Sequence, residues 1–123
     1  MRKRKIFIAD DEADVVQILE KRFKQLGHDV LTASDGSQAI GQCAAFAPDV
    51  IILDVVMPGL DGFSAASALR KEKAFADTPI IFMTAQELEY SAVERRLRGL
   101  SNCGFITKPC TFEELLAKVK EAL

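Results

Sequence analysis

The sequence predicts an α/β fold, a doubly wound parallel sheet of five strands with five helices. Five short apolar segments alternate along the chain with five longer segments that read as helices. The short segments are almost continuously apolar, which is typical of strands buried on both faces of a parallel sheet. Because the strands are parallel, each helix is expected to connect one strand to the next by a right-handed crossover.

The predicted elements follow one another along the whole chain. The expected strands are residues 5–9, 29–33, 50–53, 80–83 and 104–107. The expected helices are residues 12–26, 37–47, 63–73 and 87–98, and a fifth helix that follows Thr111. A chain of 123 residues that is 49% apolar suits one domain with one core, so residues 1–123 are treated as a single domain.

The first helix is predicted from an apolar stripe that recurs at helical spacing. The stripe consists of Val15, Ile18, Leu19, Phe23 and Leu26. Asp11 or a neighbouring residue is placed to cap the helix, and Gly27 is placed to end it. His28, the only histidine, follows that glycine and is expected to lie on the surface.

Turn and capping residues delimit the later helices. The turn 34–36 precedes the second helix, and Pro48 ends it. The segment 58–62 contains one proline and two glycines and forms the turn before the third helix. Thr111 is followed three residues later by Glu114, which predicts a capping box at the start of the last helix.

Composition excludes several classes of function. The formal net charge is −2, which provides no electrostatic attraction to nucleic acid or to a membrane surface. The basic run 2–5 is read as a solvated lead-in to the first strand. No apolar stretch approaches the ~20 residues that span a bilayer, and the start of the chain does not resemble a signal peptide. Three cysteines without CxxC spacing predict free thiols, so we expect a cytoplasmic protein without a cysteine metal site.

Charged residues follow the predicted strands at the points where ligands bind in such sheets. Asp10 and Asp11 follow the first strand, Asp54 follows the third, and Lys108 follows the fifth. Thr84 ends the fourth strand and presents a hydroxyl at the same edge. Three neighbouring carboxylates repel one another, so at least one pKa should rise when no cation is bound. Capping of a helix explains one acid, but a cluster with one lysine favours Mg²⁺, a phosphoryl group, or both.

Four motifs, taken together and in this order, carry a resemblance to a known family. They are Asp10-Asp11, Asp54-Val55-Val56-Met57-Pro58-Gly59-Leu60-Asp61-Gly62, Thr84-Ala85 and Phe105-Ile106-Thr107-Lys108-Pro109. Over its whole length the chain resembles the receiver domain of bacterial two-component response regulators, including chemotaxis regulators. The resemblance implies a flavodoxin-like sheet with strand order 2-1-3-4-5.

The resemblance also implies a role for each site residue. Asp54 would accept a phosphoryl group from a histidine kinase or a histidine phosphotransfer protein. Asp11, Asp54 and the backbone carbonyl of Val56 would bind Mg²⁺ directly, and Asp10 would act through water. Lys108 would hold one phosphoryl oxygen.

A switch of the partner-binding surface is implied as well. Thr84 would bond another phosphoryl oxygen, and Phe105 would rotate inward behind it. The face formed by the fourth helix, fifth strand and fifth helix would then change, and could also form a homodimer. The groups expected to pair across that dimer are Arg95, Arg96 and Arg98 with Glu113, Glu114 and Glu121.

Some positions depart from the common family pattern. Ser101-Asn102, Cys103-Gly104 and Cys110 replace residues that are usual around the fifth strand, so they affect the shape of that face. The acceptor, metal and lysine positions are intact. Val56 and Gln86 flank the path of the hydrolytic water in this family, and a valine there predicts a long-lived phosphorylated state.

Three alternative functions compete with the receiver interpretation. A magnesium phosphatase with an Asp-x-Asp motif would need an acid at position 56, where this chain has valine. A flavin or nucleotide carrier would need a loop rich in small residues after the first strand, where this chain has three acids. A degenerate receiver would lack the acids. We therefore expect a switch that catalyses only its own phosphorylation and dephosphorylation, either alone or as part of a longer protein with an unknown output.

Overall fold

The five strands form one parallel sheet in the order β2-β1-β3-β4-β5, as predicted. The computed structural model describes residues 2–85 and 90–123, with side chains omitted for 90–93. The strands are β1 (Lys5–Ala9), β2 (Asp29–Ala33), β3 (Val50–Asp54), β4 (Ile80–Ala85) and β5 (Cys103–Lys108). β4 and β5 run two and one residues further than predicted, because their pairing continues to the register pair Ala85 and Lys108.

The helices alternate with the strands and connect them. They are α1 (Ala13–Gln25), α2 (Gly36–Phe46), α3 (Gly62–Lys71), α4 (Tyr90–Leu97) and α5 (Phe112–Ala122). α3 is shorter than expected, because residues Lys73–Phe75 form a separate 3₁₀ turn. The predicted beginning of the fourth helix at Glu87 lies outside the described residues.

The sheet separates two apolar clusters, as expected when helices cover both faces. Every residue of β3 is buried, which agrees with its continuous apolar sequence and its central place in the sheet. One cluster lies against α2 and α3 and includes Phe7, Leu53, Phe63, Leu69 and Phe82. The other lies against α1 and α5 and includes Ile8, Leu19, Phe23, Ile52 and Val119.

Side-chain caps begin three of the helices. Asp35 and Asp61 each accept a hydrogen bond from the backbone N–H three residues later, at the starts of α2 and α3. Thr111 and Glu114 form the predicted capping box of α5, with both reciprocal hydrogen bonds present. These caps satisfy backbone donors that the first turn of a helix leaves without partners.

The start of α1 is held differently from the other helices. Its N-cap residue is Glu12, whose side chain makes no capping bond, and Asp11 does not cap the helix either. The Oδ1 atom of Asp10 instead accepts a hydrogen bond from the N–H of Glu12, at 2.9 Å. The side chain of Asp10 therefore ties the end of β1 to the beginning of α1.

α1 ends at a glycine, as predicted, and the turn there corrects the prediction for His28. Gly27 has a φ of +92°, and the N–H of His28 donates to the carbonyl of Phe23. This is a Schellman motif, which brings the second residue after the C-cap against the last helical turn. His28 is consequently buried beside the Phe23 ring, with centroids 6.4 Å apart, and is not the surface residue that was expected.

The apolar stripe of α1 is narrower than predicted. Leu19 and Phe23 are buried, whereas Ile18 is 60% exposed and Leu26 is 48% exposed. Residues four positions apart share a helical face, and Ile18 lies about 100° around the helix from Leu19. The prediction that Ile18 and Leu26 belong to the core is therefore wrong.

The cysteines are all free, as expected. Cys43 is completely buried in α2, and this burial raises the pKa of its thiol to about 12. Within the described part of the chain, none of the helices combines the length and the apolar character needed to cross a membrane.

Candidate functional site

Three carboxylates meet one ammonium group at the carboxyl edge of the sheet. The Nζ atom of Lys108 lies 3.0 Å from Asp10 Oδ2, 3.0 Å from Glu12 Oε1 and 3.3 Å from Asp54 Oδ2. The Asp10 and Asp54 side chains are 0% and 8% exposed, whereas that of Glu12 is 58% exposed. The cluster is therefore buried at its base and open to solvent on one side.

Strand order and register bring these residues together. β1 and β3 are neighbours, and Ala9 is in register with Leu53, so the residues that follow them, Asp10 and Asp54, lie side by side. Lys108 ends β5, which β4 separates from β3, and its long side chain reaches back across the sheet edge. The prediction that the acids and the lysine converge is borne out for Asp10, Asp54 and Lys108.

The charges in this cluster shift the pKa values of two groups. The pKa of Asp54 is raised from 3.8 to about 6; burial is the largest cause, the negative charge of Asp10 adds to it, and Lys108 opposes both effects. Burial alone would lower the pKa of Lys108, but its bonds to Asp10 and Glu12 outweigh burial and raise it. The expected rise of a carboxyl pKa thus falls on Asp54, and Lys108 remains charged.

The oxygen atoms of the acids are close enough to bind one cation. One oxygen each from Asp10, Glu12 and Asp54 lie within 4.8 Å of one another. A set of carboxylate oxygens on a partly exposed site fits Mg²⁺, which prefers hard oxygen ligands and retains several waters. Asp11, which the family resemblance implies as a direct ligand, is exposed and lies outside this group, so its role as a metal ligand stays a prediction.

Glu12 is a site residue that sequence reasoning missed. The sequence predicts Glu12 as the first residue of α1, but it is the N-cap, so its side chain can turn toward the site. The signal was the third acid in the run 10–12 directly after a strand end. Helical spacing alone does not show which way a residue at a helix boundary points.

Val56 is an exposed residue two positions after Asp54. The residue is 63% exposed, and its N–H donates to Asp54 Oδ1 at 3.4 Å. This bond and the bond from the Val55 N–H to the Met83 carbonyl hold the peptide that follows Asp54. The role of the Val56 carbonyl as a metal ligand stays a prediction.

Thr84 and Phe105 lie on one face of the sheet. Phe82 is in register with Phe105, and Thr84 is in register with Thr107, so the four side chains project to the same side. Thr84 is buried, and Phe105 is half-buried against the cluster that contains Phe82. The Thr84 hydroxyl therefore lies two register positions further along the sheet than the Phe105 ring, which is expected to respond to it.

A cavity opens beside the lysine and gives access to this end of the sheet. Its volume is about 460 Å³, and it lies between α1 and α5. Ala85, at the end of β4, forms part of its wall together with Val15 and Phe112. The small side chain of Ala85 thus leaves space next to Lys108.

Comparison with known protein families agrees with this geometry. A family model described as the response regulator receiver domain matches residues 6–120. The chain is 37% identical over 120 residues to the alkaline phosphatase synthesis transcriptional regulatory protein PhoP of Bacillus subtilis, covering 98% of this chain and 48% of that protein. It is 32% identical over 116 residues to protein PilG of Pseudomonas aeruginosa, covering 94% of this chain and 84% of that protein.

A further relative, like PhoP, is matched over only about half of its length. The chain is 39% identical over 125 residues to the probable transcriptional regulator ycf27 of Porphyridium aerugineum, of which it covers 49%. The chain thus spans about half the length of several relatives that it matches.

Solved structures show the same fold. The chemotaxis protein CheY4 of Vibrio cholerae superposes with a TM-score of 0.90 at 28% identity, covering 99% of this chain and 100% of that one. The receiver domain of the sensor histidine kinase PA1611 of Pseudomonas aeruginosa superposes with a TM-score of 0.84 at 26% identity, covering 98% and 97%. That second structure is described with a magnesium ion coordinated in its active site cleft.

Proposed function

The chain belongs to the response regulator receiver family, and from that premise we propose that Asp54 is its phosphoacceptor. Receiver domains are signalling switches of two-component systems. We further propose that the phosphoryl group comes from a histidine kinase or a histidine phosphotransfer protein. The observation that carries the proposal is the buried Asp54 carboxylate, 3.3 Å from the Lys108 ammonium and flanked by the acids Asp10 and Glu12.

The proposed reaction is a nucleophilic displacement at phosphorus. An oxygen of ionised Asp54 attacks the phosphorus of a phosphohistidine, a P–O bond forms, and the P–N bond breaks as the imidazole leaves. The Asp54 pKa of about 6 leaves most of the carboxylate ionised at neutral pH. Lys108, which already lies between the acids, is positioned to hold a phosphoryl oxygen by charge and hydrogen bonding.

Magnesium is the cofactor that fits the donor set. Asp10, Glu12 and Asp54 would hold it through carboxylate oxygens, with Asp11 and the Val56 carbonyl as the further ligands that the family resemblance implies. When bound, Mg²⁺ supplies positive charge that offsets the phosphoryl oxygens and the crowded acids. The protein's own contribution is to fix these acids on strand ends and to keep Lys108 charged.

The test of this proposal is chemical labelling of the intact chain. Incubation with acetyl phosphate and Mg²⁺ should produce one acid-stable, base-labile acyl phosphate, and Asp54→Asn should abolish it. Asp77→Asn is the matched control, because Asp77 is an exposed carboxylate away from the sheet edge. Undiminished labelling of Asp54→Asn would refute the assignment.

The proposed output is a change in the face around Phe105. Thr84 and Phe105 share one side of the sheet, so movement of Thr84 toward a phosphoryl oxygen changes the space available to Phe105. Phosphorylation would thereby shift a two-state equilibrium of packing. Beryllofluoride with Mg²⁺ should change amide resonances of residues 103–108, whereas changes confined to the loop after Asp54 would contradict this coupling.

We also propose a homodimer through α4, β5 and α5, although fewer of the charged residues named from the sequence are available to pair across it. Within the chain, Glu113 already pairs with Arg22 at 3.2 Å, and Arg96 lies 3.7 Å from Asp61. Four of the named charges form no ion pair with any described residue, so they are the charges available to a second copy: Arg95, Arg98, Glu114 and Glu121. Cytoplasmic location stays a prediction, as does the absence of nucleic-acid binding by this domain.

A further inference from the structure

Arg96 of α4 lies over the first turn of α3. Its guanidinium carbon is 4.7 Å from the centroid of the Phe63 ring, and its Nη2 is 3.7 Å from Asp61 Oδ1. The Arg96 and Asp61 side chains are 53% and 45% exposed, so their ion pair alone is weakly stabilising. The contact with the buried Phe63 ring adds a cation–π interaction, which makes Arg96 a two-point contact between α4 and α3.

The first turn of α3 is joined to the backbone of the phosphoacceptor. The N–H of Gly62 donates to the Val55 carbonyl at 2.9 Å. A Cβ atom at position 62 would overlap the carbonyl oxygen of Asp54, so the two backbones are in direct contact. Residues 61–63 and the peptide that follows Asp54 are therefore placed together.

Phe63 also contacts the strand that carries the switch threonine. Its ring is 4.9 Å from that of Phe82, and both rings are buried. Phe82 precedes Thr84 by two residues on β4, and its side chain lies on the same side of the sheet. Arg96 thus contacts the Phe63 ring, which packs on β4. Phe63 also belongs to the first turn of α3, the turn that is held against Asp54.

We propose that Arg96 is a positioning residue that couples α4 to the phosphoacceptor site. By holding Asp61 and Phe63, it fixes the turn that abuts Asp54 and so strengthens the binding of magnesium and of a phosphoryl group. Coupling between two sites is reciprocal, so ligands at Asp54 must also strengthen the attachment of α4. This inference rests on the proposed function of Asp54, and it adds a route to α4 that does not pass through Phe105.

The first experiment measures binding in the intact chain. Arg96→Met keeps the length and apolar packing of the side chain but removes its charge, and Arg95→Met is the matched control on the same helix. Arg96→Met should weaken the binding of Mg²⁺, and of beryllofluoride with Mg²⁺, by about fivefold, the low end of coupling between protein sites. Arg96→Lys should give an intermediate value, because lysine retains the charge but lacks the planar group that stacks on Phe63.

The second experiment measures the reciprocal effect by hydrogen exchange. Mg²⁺ with beryllofluoride should slow amide exchange in residues 94–97 of the parent chain and of Arg95→Met, but not of Arg96→Met. If Arg96→Met binds both ligands as tightly as Arg95→Met, or if its α4 amides respond as in the parent, the proposal is wrong. Labelling at Asp54 by acetyl phosphate would persist in those cases, which separates this failure from failure of the proposed function.

Discussion

Lys108 and Asp54 are 54 positions apart in the chain, and their Nζ and Oδ2 atoms lie 3.3 Å apart. The same ammonium group contacts Asp10 and Glu12, so one cation is shared by three acids. Without Lys108, the buried Asp10 and Asp54 carboxylates would face each other with no compensating charge. The lysine therefore stabilises the fold, and in the proposed function it also holds a phosphoryl oxygen.

Replacement of Lys108 should make stability dependent on Mg²⁺. Removing one partner of a buried ion pair leaves uncompensated charge, so Lys108→Met should lower the free energy of unfolding by about 2–4 kcal/mol. Added Mg²⁺ should recover part of this loss, because a ligand that binds only the folded state stabilises it. Urea unfolding with and without Mg²⁺ measures both effects, with the exposed Lys120→Met as control. An equal loss with and without Mg²⁺ would contradict this account.

Replacement of Asp54 should stabilise the metal-free protein in a pH-dependent way. The pKa of Asp54 is raised from 3.8 to about 6 in the folded state, so the unfolded chain releases this proton first as pH rises. Ionisation of Asp54 therefore lowers the free energy of unfolding above pH 4, and this loss of stability is complete above pH 6. Asp54→Asn has no carboxylate to ionise at this position, so it should be more stable than the parent by up to about 3 kcal/mol at pH 7.5.

The check is urea unfolding of both proteins at pH 4.5 and pH 7.5 in the presence of a chelator. The gain in Asp54→Asn should be small at pH 4.5 and large at pH 7.5. Asp77→Asn, at an exposed position, should show no such difference. A gain that is equal at both pH values would mean that the raised pKa of Asp54 is not its cause.

The acidic site shows which features can be predicted from a sequence. Asp10, Asp54 and Lys108 were identified because strand ends of a parallel sheet must share one edge. Glu12 was missed, and Asp11 is exposed outside the group formed by Asp10, Glu12 and Asp54, because side-chain direction at the start of α1 depends on the local turn and not on periodicity. Positions of strands are thus readable from apolar runs, whereas directions at element boundaries are not.

α1 gives a second example of this limit. Its apolar residues predicted the helix correctly, but the stripe included Ile18 and Leu26, which the structure exposes. The width of a buried stripe depends on how closely the helix approaches the sheet, which is a tertiary property. The burial of His28 could have been anticipated, since the residue after a helix-ending glycine commonly packs on the last turn.

Burial of His28 should make the fold less stable in acid. Its Nδ1 accepts a hydrogen bond from the Arg4 N–H at 3.0 Å, and desolvation lowers its pKa below the ordinary value of 6.5. The unfolded chain therefore gains this proton first as pH falls, so stability is complete above pH 6.5 and declines below it. His28→Asn, which keeps an acceptor but does not titrate, should be less stable at pH 7.5 by about 1–3 kcal/mol.

This deficit of His28→Asn should narrow at pH 5, because only the parent loses stability on acidification. Unfolding in urea at the two pH values measures the difference, and a deficit that stays constant would show that the imidazole is protonated equally in both states. The Nε2 atom of His28 has no partner among the described residues, which agrees with an uncharged ring at a buried position.

Gly62 should tolerate no side chain, because its backbone lies against the carbonyl of Asp54. Gly62→Ala should destabilise the protein by about 1–3 kcal/mol through steric overlap and should lower labelling at Asp54. Gly41, within α2, is the matched control, since a Cβ there meets no atom within 4 Å. Gly41→Ala should stabilise by about 0.5–1 kcal/mol through helix propensity, and equal effects of the two changes would contradict the close approach.

The side chain of Val56 should prolong the lifetime of the phosphorylated state. Val56 is 63% exposed two residues after Asp54, and we expect its branched apolar side chain to narrow the approach to Asp54 without offering a hydrogen bond to water. Gln86, the second residue predicted to flank the water path, lies outside the described residues. An asparagine at position 56 could orient a hydrolytic water, which corresponds to about 1–2 kcal/mol of barrier.

Val56→Asn should therefore lose its phosphoryl group about tenfold faster than the parent. The measurement is the decay of radioactive label from the isolated chain after the phosphodonor is removed. Val56→Ala widens the approach without adding a hydrogen-bonding group, so it separates steric access from orientation of the water. If alanine accelerates the decay as much as asparagine, access is the cause. If asparagine does not accelerate it at all, the side chain at position 56 does not control the hydrolytic water.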